Sequence, residues 1–109
     1  MIINFENIEE TILKNFKGGE GQLNARMFFD GKNRIMLATL EKNSSIGYHK
    51  HETSSEIIYV LEGVASIKME ENEEVVKPGE VHYCPKGSSH GLCNKHDETL
   101  KILCVVPEQ

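Results

Sequence analysis

The sequence predicts an all-β domain, a sandwich or barrel, and three observations carry that expectation. Short runs rich in β-branched and aromatic residues recur along the chain, each of hairpin size. Turn residues separate them, Asp30-Gly31, Glu62-Gly63 and Pro78-Gly79 among them. With 109 residues, 39% hydrophobic and 27% charged, the chain has the length and composition of one globular domain over 1–109, without linker, repeat or low-complexity tract.

The elements follow in order. Residues 7–16 carry Ile8, Ile12, Leu13 and Phe16 at roughly helical spacing and read as a helical turn or two, or equally as an extended arm. Residues 17–21 are too glycine-rich for regular structure. Residues 23–29 and 34–41 are strands joined by the hairpin turn Asp30-Gly31-Lys32-Asn33, because Asp and Gly tolerate positive φ. After a break at 43–45 come an extended run at 46–51, a polar loop at 52–55, and the strongly β-forming 56–61, expected as a central strand. Shorter strands are predicted at 64–70, 74–77, 81–84, 90–94 and 100–106, the last two flanking a charged turn at 95–98.

Composition excludes several function classes. Twelve basic against seventeen acidic residues leave a net charge of −5, which disfavours nucleic acid and anionic membrane surfaces as partners. No run approaches the ~18 apolar residues of a spanning helix. Glu6, Glu9 and Glu10 occupy the region where a signal peptide would be basic and then apolar, so a cytoplasmic location is expected. Cys84, Cys93 and Cys104 are odd in number and form no CxxC pair, which fits reduced, buried thiols.

The chemistry concentrates in the histidines. His49 and His51 lie one residue apart, so on a strand both imidazoles face the same side with Cα atoms about 6.5–7 Å apart, a separation that suits one shared metal ion. Glu56 follows after a polar turn that can bring its carboxylate alongside, and His90 leaves the proline- and glycine-shaped loop 85–89 as the next strand begins. For an isolated HxH pair the ordinary alternative is a satisfied or solvent-exposed histidine.

The pattern His49-x-His51-x4-Glu56-x6-Gly63, followed by Gly79-x5-Pro85-x-Gly87-x2-His90-x3-Asn94, resembles the two motifs of the cupin superfamily, small single-domain bacterial type, within residues 48–94. One departure is Asn43, where the family often has glycine. The resemblance implies an antiparallel double-stranded β-helix, the jelly-roll barrel, with a short N-terminal arm or helix. It also implies that His49, His51, Glu56 and His90 hold one divalent transition metal. Three imidazoles and a carboxylate suit manganese or iron best, and zinc, nickel, copper and cobalt also accept the set. Gly63, Gly79 and Gly87 would form turns, and Pro85 would stiffen the loop delivering His90.

Other residues take more ordinary roles. His82 shares a face with Cys84, opposite Val81 and Tyr83, and is expected at a partly exposed surface, the alternative being a supporting or catalytic role. His96 is expected in solvent, Cys93 facing away from the metal, Tyr48 and Lys50 outward, and Ala65, Ile67 and Met69 lining the barrel. Ile57, Tyr59 and Leu61 make an outward apolar face that a homodimer would cover, with residues 1–5 added to the partner's sheet, or that the chain's own N-terminal segment would cover.

The expected function is a metal-binding cupin that binds or acts on a small polar organic molecule by oxygenase-like or isomerase-like chemistry. The alternative is a non-catalytic binding or sensor module for a sugar or carboxylate, and a third option is a structural β-module without metal. No catalytic residue is assigned.

Overall fold

A computed structural model describes residues 1–109. Its strands are β1 (Thr11–Lys14), β2 (Gln22–Phe29), β3 (Asn33–Leu40), β4 (Ser45–Lys50), β5 (Glu56–Glu62), β6 (Ala65–Met69), β7 (Asn72–Val76), β8 (Val81–Cys84), β9 (Ser89–Cys93) and β10 (Leu100–Pro107). They pair antiparallel into two sheets, ordered β1-β2-β3-β10-β5-β8 and β4-β9-β6-β7. This is the jelly-roll architecture that the two motifs imply.

Period-two alternation builds the core. Leu23 and Ala25 of β2, Met36, Ala38 and Leu40 of β3, Ile58 and Val60 of β5, Ala65 and Ile67 of β6, and Leu100, Ile102 and Cys104 of β10 are buried together between the sheets. The β2–β3 hairpin is locked by its turn: the Asp30 carboxylate accepts the backbone N–H groups of Lys32 and Asn33, and Gly31 takes φ +97°. Asn43 has φ +68°, so this asparagine occupies the left-handed conformation for which glycine is the usual residue. Its N–H reaches the carbonyl of Asn94, whose buried side chain in turn donates to the carbonyls of Leu40 and Glu98.

One open alternative is resolved and one expectation needs correction. Of the two readings of the N-terminal segment, the extended arm holds and the α-helix does not. Residues 11–14 are an edge strand on β2, with Leu13 opposite Leu23, flanked by single 3-10 turns at Phe5–Asn7 and Phe16–Gly18. The free edge of β2 offers a ladder to the β-branched Thr11 and Ile12, and the left-handed Asn15 and Lys17 cannot continue a right-handed helix. Strand β5 lies next to the sheet margin rather than at its centre, between β10 and the edge strand β8.

Two features carry this frame toward one end of the barrel. The loop around Lys17 lies directly on β4, so close that a Cβ at Gly47 would sit 2.0 Å from the Lys17 carbonyl oxygen. On the other side of β4, the Gly87 N–H donates to the carbonyl of His51 at 2.6 Å and the His51 N–H to the carbonyl of Ser88 at 2.9 Å. The loop before β9 is thereby stitched to the loop after β4. His90 pairs with His49 across the two strands, and Glu56 opens β5 beside Cys84 of β8.

Candidate metal centre

The four expected residues converge. One ligand atom from each of His49, His51, Glu56 and His90 lies within 4.8 Å of all the others. His51, Glu56 and His90 are buried, and His49 is half-buried where the group opens outward. Nε2 of His51 is 3.1 Å from Nε2 of His49, 3.0 Å from Nε2 of His90 and 3.1 Å from Oε1 of Glu56, which stands 2.8 Å from Nε2 of His90.

These spacings fit a metal ion. Donors at about 2.1 Å from one centre, at right angles, lie about 3.0 Å apart. Imidazole nitrogens this close also set lone pairs against one another unless a cation stands between them.

The outer nitrogen of each ring is already engaged, which leaves Nε2 to point inward. His49 Nδ1–H donates to the Gly47 carbonyl at 2.7 Å, and His51 Nδ1 meets Ser54 Oγ at 3.0 Å. His90 Nδ1 meets His82 Nε2 at 3.0 Å, and His82 Nδ1 meets Glu74 Oε1 at 2.8 Å. Anchoring of this kind fixes both ring plane and tautomer in metal-binding histidines.

Electrostatics favour an ionised Glu56 carboxylate and a neutral His49. Burial acts to raise the Glu56 carboxyl, but hydrogen bonds and charge from His51 and His90 outweigh it and hold the group at about 2. Burial holds His49 below its ordinary value, against the opposing pull of the Gly47 carbonyl. A neutral imidazole is the form that ligates metal.

His82 departs from expectation. It is 2% exposed rather than at a partly exposed surface. Alternation does group it with Cys84 against Val81 and Tyr83, but the inward face of β8 is the one bearing His82, because Cys84 pairs in register with Glu56. Glu74 and Ser54 were not singled out by their sequence context at all. The available signal was parity: a histidine two positions before the cysteine that faces Glu56 must share its side. Cys93 is partly exposed on the outer face of the smaller sheet, His96 is exposed, and Leu92 and Asn94 are buried on the side of His90, all as alternation predicts.

His49, His51 and Glu56 line a cavity of about 400 Å³, and His90 lies behind them, its Nε2 3.0 Å from that of His51. Phe16, Phe29, Met36 and Val106 supply apolar wall, and Lys17, Lys32, Arg34 and Lys50 stand around it together with Glu52 and Glu108. The Arg34 guanidinium lies over the Phe29 ring, 5.1 Å from its centroid. A second concavity of about 320 Å³ on the outer face of β4, β9 and β6 contains none of the four converging residues.

Known proteins share this arrangement of strands. An oxalate-binding protein of Thermotoga maritima is 28% identical over 112 residues, covering 97% of this chain and 93% of its own. An uncharacterised protein of Methanocaldococcus jannaschii is 30% identical over 100 residues, covering 92% of this chain and 80% of its own. The crystal structure of a predicted oxalate decarboxylase from Thermotoga maritima superposes with a TM-score of 0.92 at 27% identity over 100% of both chains. At 19% identity, a cupin 2 conserved barrel domain protein of Salinispora arenicola shares the fold with a TM-score of 0.72, over 99% of this chain and 87% of its own. The cupin domain family matches residues 36–106, from within β3 to within β10. Because that match takes in both histidine-bearing stretches and most of the barrel, this chain belongs to the cupin family.

Proposed function

We propose that residues 1–109 act as one cupin domain in which His49, His51, Glu56 and His90 hold a single divalent transition metal, manganese or iron by donor preference, and that this centre binds a small carboxylate. The observation that carries the reading is the cavity. Three of the four clustered donors, His49, His51 and Glu56, line it, and Lys17, Lys32, Arg34 and Lys50 surround it without an ion-pair partner in the chain. A divalent ion with one carboxylate ligand keeps a net positive charge, so centre and rim both attract an anion. The name of the Thermotoga relative, an oxalate-binding protein, supports a compact dicarboxylate.

When bound, the ion supplies Lewis-acid polarisation at positions the protein leaves open. The chain's own residues orient and select. The Arg34 guanidinium rests over the Phe29 ring, and its planar fork of N–H groups suits two parallel hydrogen bonds to a carboxylate. Met36 and Val106 exclude water from the inner wall. Titration calorimetry of the manganese-loaded full chain with oxalate tests the reading. Saturable binding that disappears in metal-free protein and weakens in Arg34→Gln is the expected result. Binding of a neutral sugar but not oxalate would transfer the site to the sugar-binding alternative. Carbon dioxide release or oxygen uptake with oxalate would make it the oxygenase-like or related enzyme.

A second copy of the chain completes the proposal. Ile57, Tyr59 and Leu61 of β5 and Val81 and Tyr83 of β8 are 36–54% exposed on one side of the larger sheet, and residues 11–14 pair on the opposite margin of that sheet and do not cover them. A homodimer through this face is expected by sedimentation, and Tyr59→Asp is expected to shift it to monomer. The three free cysteines suit a reducing, cytoplasmic location.

A further inference from the structure

Four groups form a hydrogen-bonded row that reaches from the outside of the barrel to the candidate metal centre. Glu74 Oε1 lies 2.8 Å from His82 Nδ1, His82 Nε2 lies 3.0 Å from His90 Nδ1, and His90 Nε2 lies 2.8 Å from Glu56 Oε1. The His82 and His90 rings meet edge to edge, with centroids 5.2 Å apart and planes 23° from parallel, as an N–H···N bond between them requires. Glu74 belongs to β7 and His82 to β8, the edge strands of the two different sheets, so the row crosses the seam where no backbone ladder joins them.

Counting hydrogens fixes its direction. The row has three gaps, and two neutral imidazoles bring one N–H each. A carboxylate only accepts, so Glu74 takes the hydrogen of His82 Nδ1. His82 Nε2 then has a lone pair and accepts from His90 Nδ1–H. His90 Nε2 is left bare, facing Glu56. The one gap without a hydrogen therefore falls inside the four-donor cluster, where a metal ion would bind both atoms.

We propose that Glu74 and His82 are positioning residues for the centre: Glu74 sets the tautomer of His82, and His82 sets the ring plane and tautomer of His90 so that Nε2 faces the metal. The proposal rests on the metal-centre reading above and adds to it two residues outside the expected ligand set. It distinguishes His82 from a side chain that merely fills the core, since a filler of similar size would serve that purpose without an acceptor nitrogen. Glu74 keeps a side chain 39% exposed, so it can be replaced without opening the interior.

The test uses Co²⁺ titration of the metal-free full chain, read as affinity against a chelating dye and as the visible spectrum of the bound ion. His82→Phe removes the acceptor, His82→Gln retains an acceptor and a donor, and Glu74→Leu removes the outer anchor. The expected result is a 10–100-fold loss of affinity with an altered spectrum in His82→Phe, about ten-fold in Glu74→Leu, and recovery toward wild type in His82→Gln. A folded His82→Phe with unchanged affinity and spectrum would overturn the proposal. Should His82→Phe fail to fold, Glu74→Leu decides by the same two readouts. Wild-type protein that takes up no more Co²⁺ than His49→Ala would sink the metal-centre reading itself, a different outcome from normal binding in the wild type and all three variants.

Discussion

The barrel interior has two ends built from the same strands, and they are buried by different means. Strand β5 contributes Glu56 to one end and Val60 to the other; β3 runs from the cavity rim at Arg34 to the fully buried Leu40, and β10 returns from Leu100 to Val106. At the far end Leu23, Leu40, Val60, Leu100 and Ile102 pack as an apolar cluster, with the buried Asn94 side chain beside them bonded to the Leu40 and Glu98 carbonyls. At the cavity end His51, Glu56, His82 and His90 are buried too. Every buried side-chain nitrogen or oxygen in the chain lies within hydrogen-bond distance of another polar atom. Dispersion and the hydrophobic effect are non-directional, so the apolar end tolerates residues of matching volume. Each unpaired polar atom at the other end would cost about 1–3 kcal/mol, so there the geometry of every ring is specified.

Deleting one side chain from each end should therefore give opposite results. The largest expected effect is in His51→Ala, which touches His49, Glu56 and His90 at once and should abolish stoichiometric manganese uptake, measured by elemental analysis, while the metal-free protein still melts cooperatively. Ile102→Ala at the apolar end should lower unfolding free energy by about 2–5 kcal/mol in a denaturant titration, yet leave metal content per folded molecule unchanged. If Ile102→Ala strips the metal, the two ends are not separable.

A smaller effect sharpens the contrast through pH. Burial pushes the Cys84 thiol up to about 11 and also raises Cys104 well above its ordinary value, the Glu56 carboxylate adding to both. Native thiols thus keep their protons where unfolded ones lose them. The Cys84 contribution is fully present below pH 9 and is lost as pH rises through about 11, and that of Cys104 has the same sign. Glu56 runs the other way. Held at about 2 against an ordinary 4.5, it contributes above pH 4.5 and loses that contribution as pH falls toward 2. Melting temperatures of the metal-free protein should decline on both flanks, and a Cys84→Ala/Cys104→Ala double variant should flatten only the alkaline one.

Much of this was legible in the linear chain. The hairpin at Asp30-Gly31, the strands around it and the glycine turns at 63, 79 and 87, all of positive φ, follow from local backbone preferences. The four converging residues were legible because two lie on one strand face and the other two stand in a pattern resembling known motifs. The N-terminal segment was legible only as two equal alternatives, since its spacing also fits a helix and the open edge of β2 is what makes it an extended strand. The role of Asn43 was half-legible: the motif asked for glycine, and the left-handed φ shows asparagine meeting the same backbone demand.

By itself the sequence determined the strand-and-turn plan, the alternation within each strand and the residues able to ligate a metal, because these rest on interactions between near neighbours. Tertiary structure alone decided which side of β8 faces inward, that Glu74 on the margin of one sheet meets His82 on the margin of the other, and that Ser54 meets His51. Alternation fixes how side chains face relative to one another along a strand. It cannot say which face is inside until another strand pairs with it, and pairing is decided by the packing of the whole barrel.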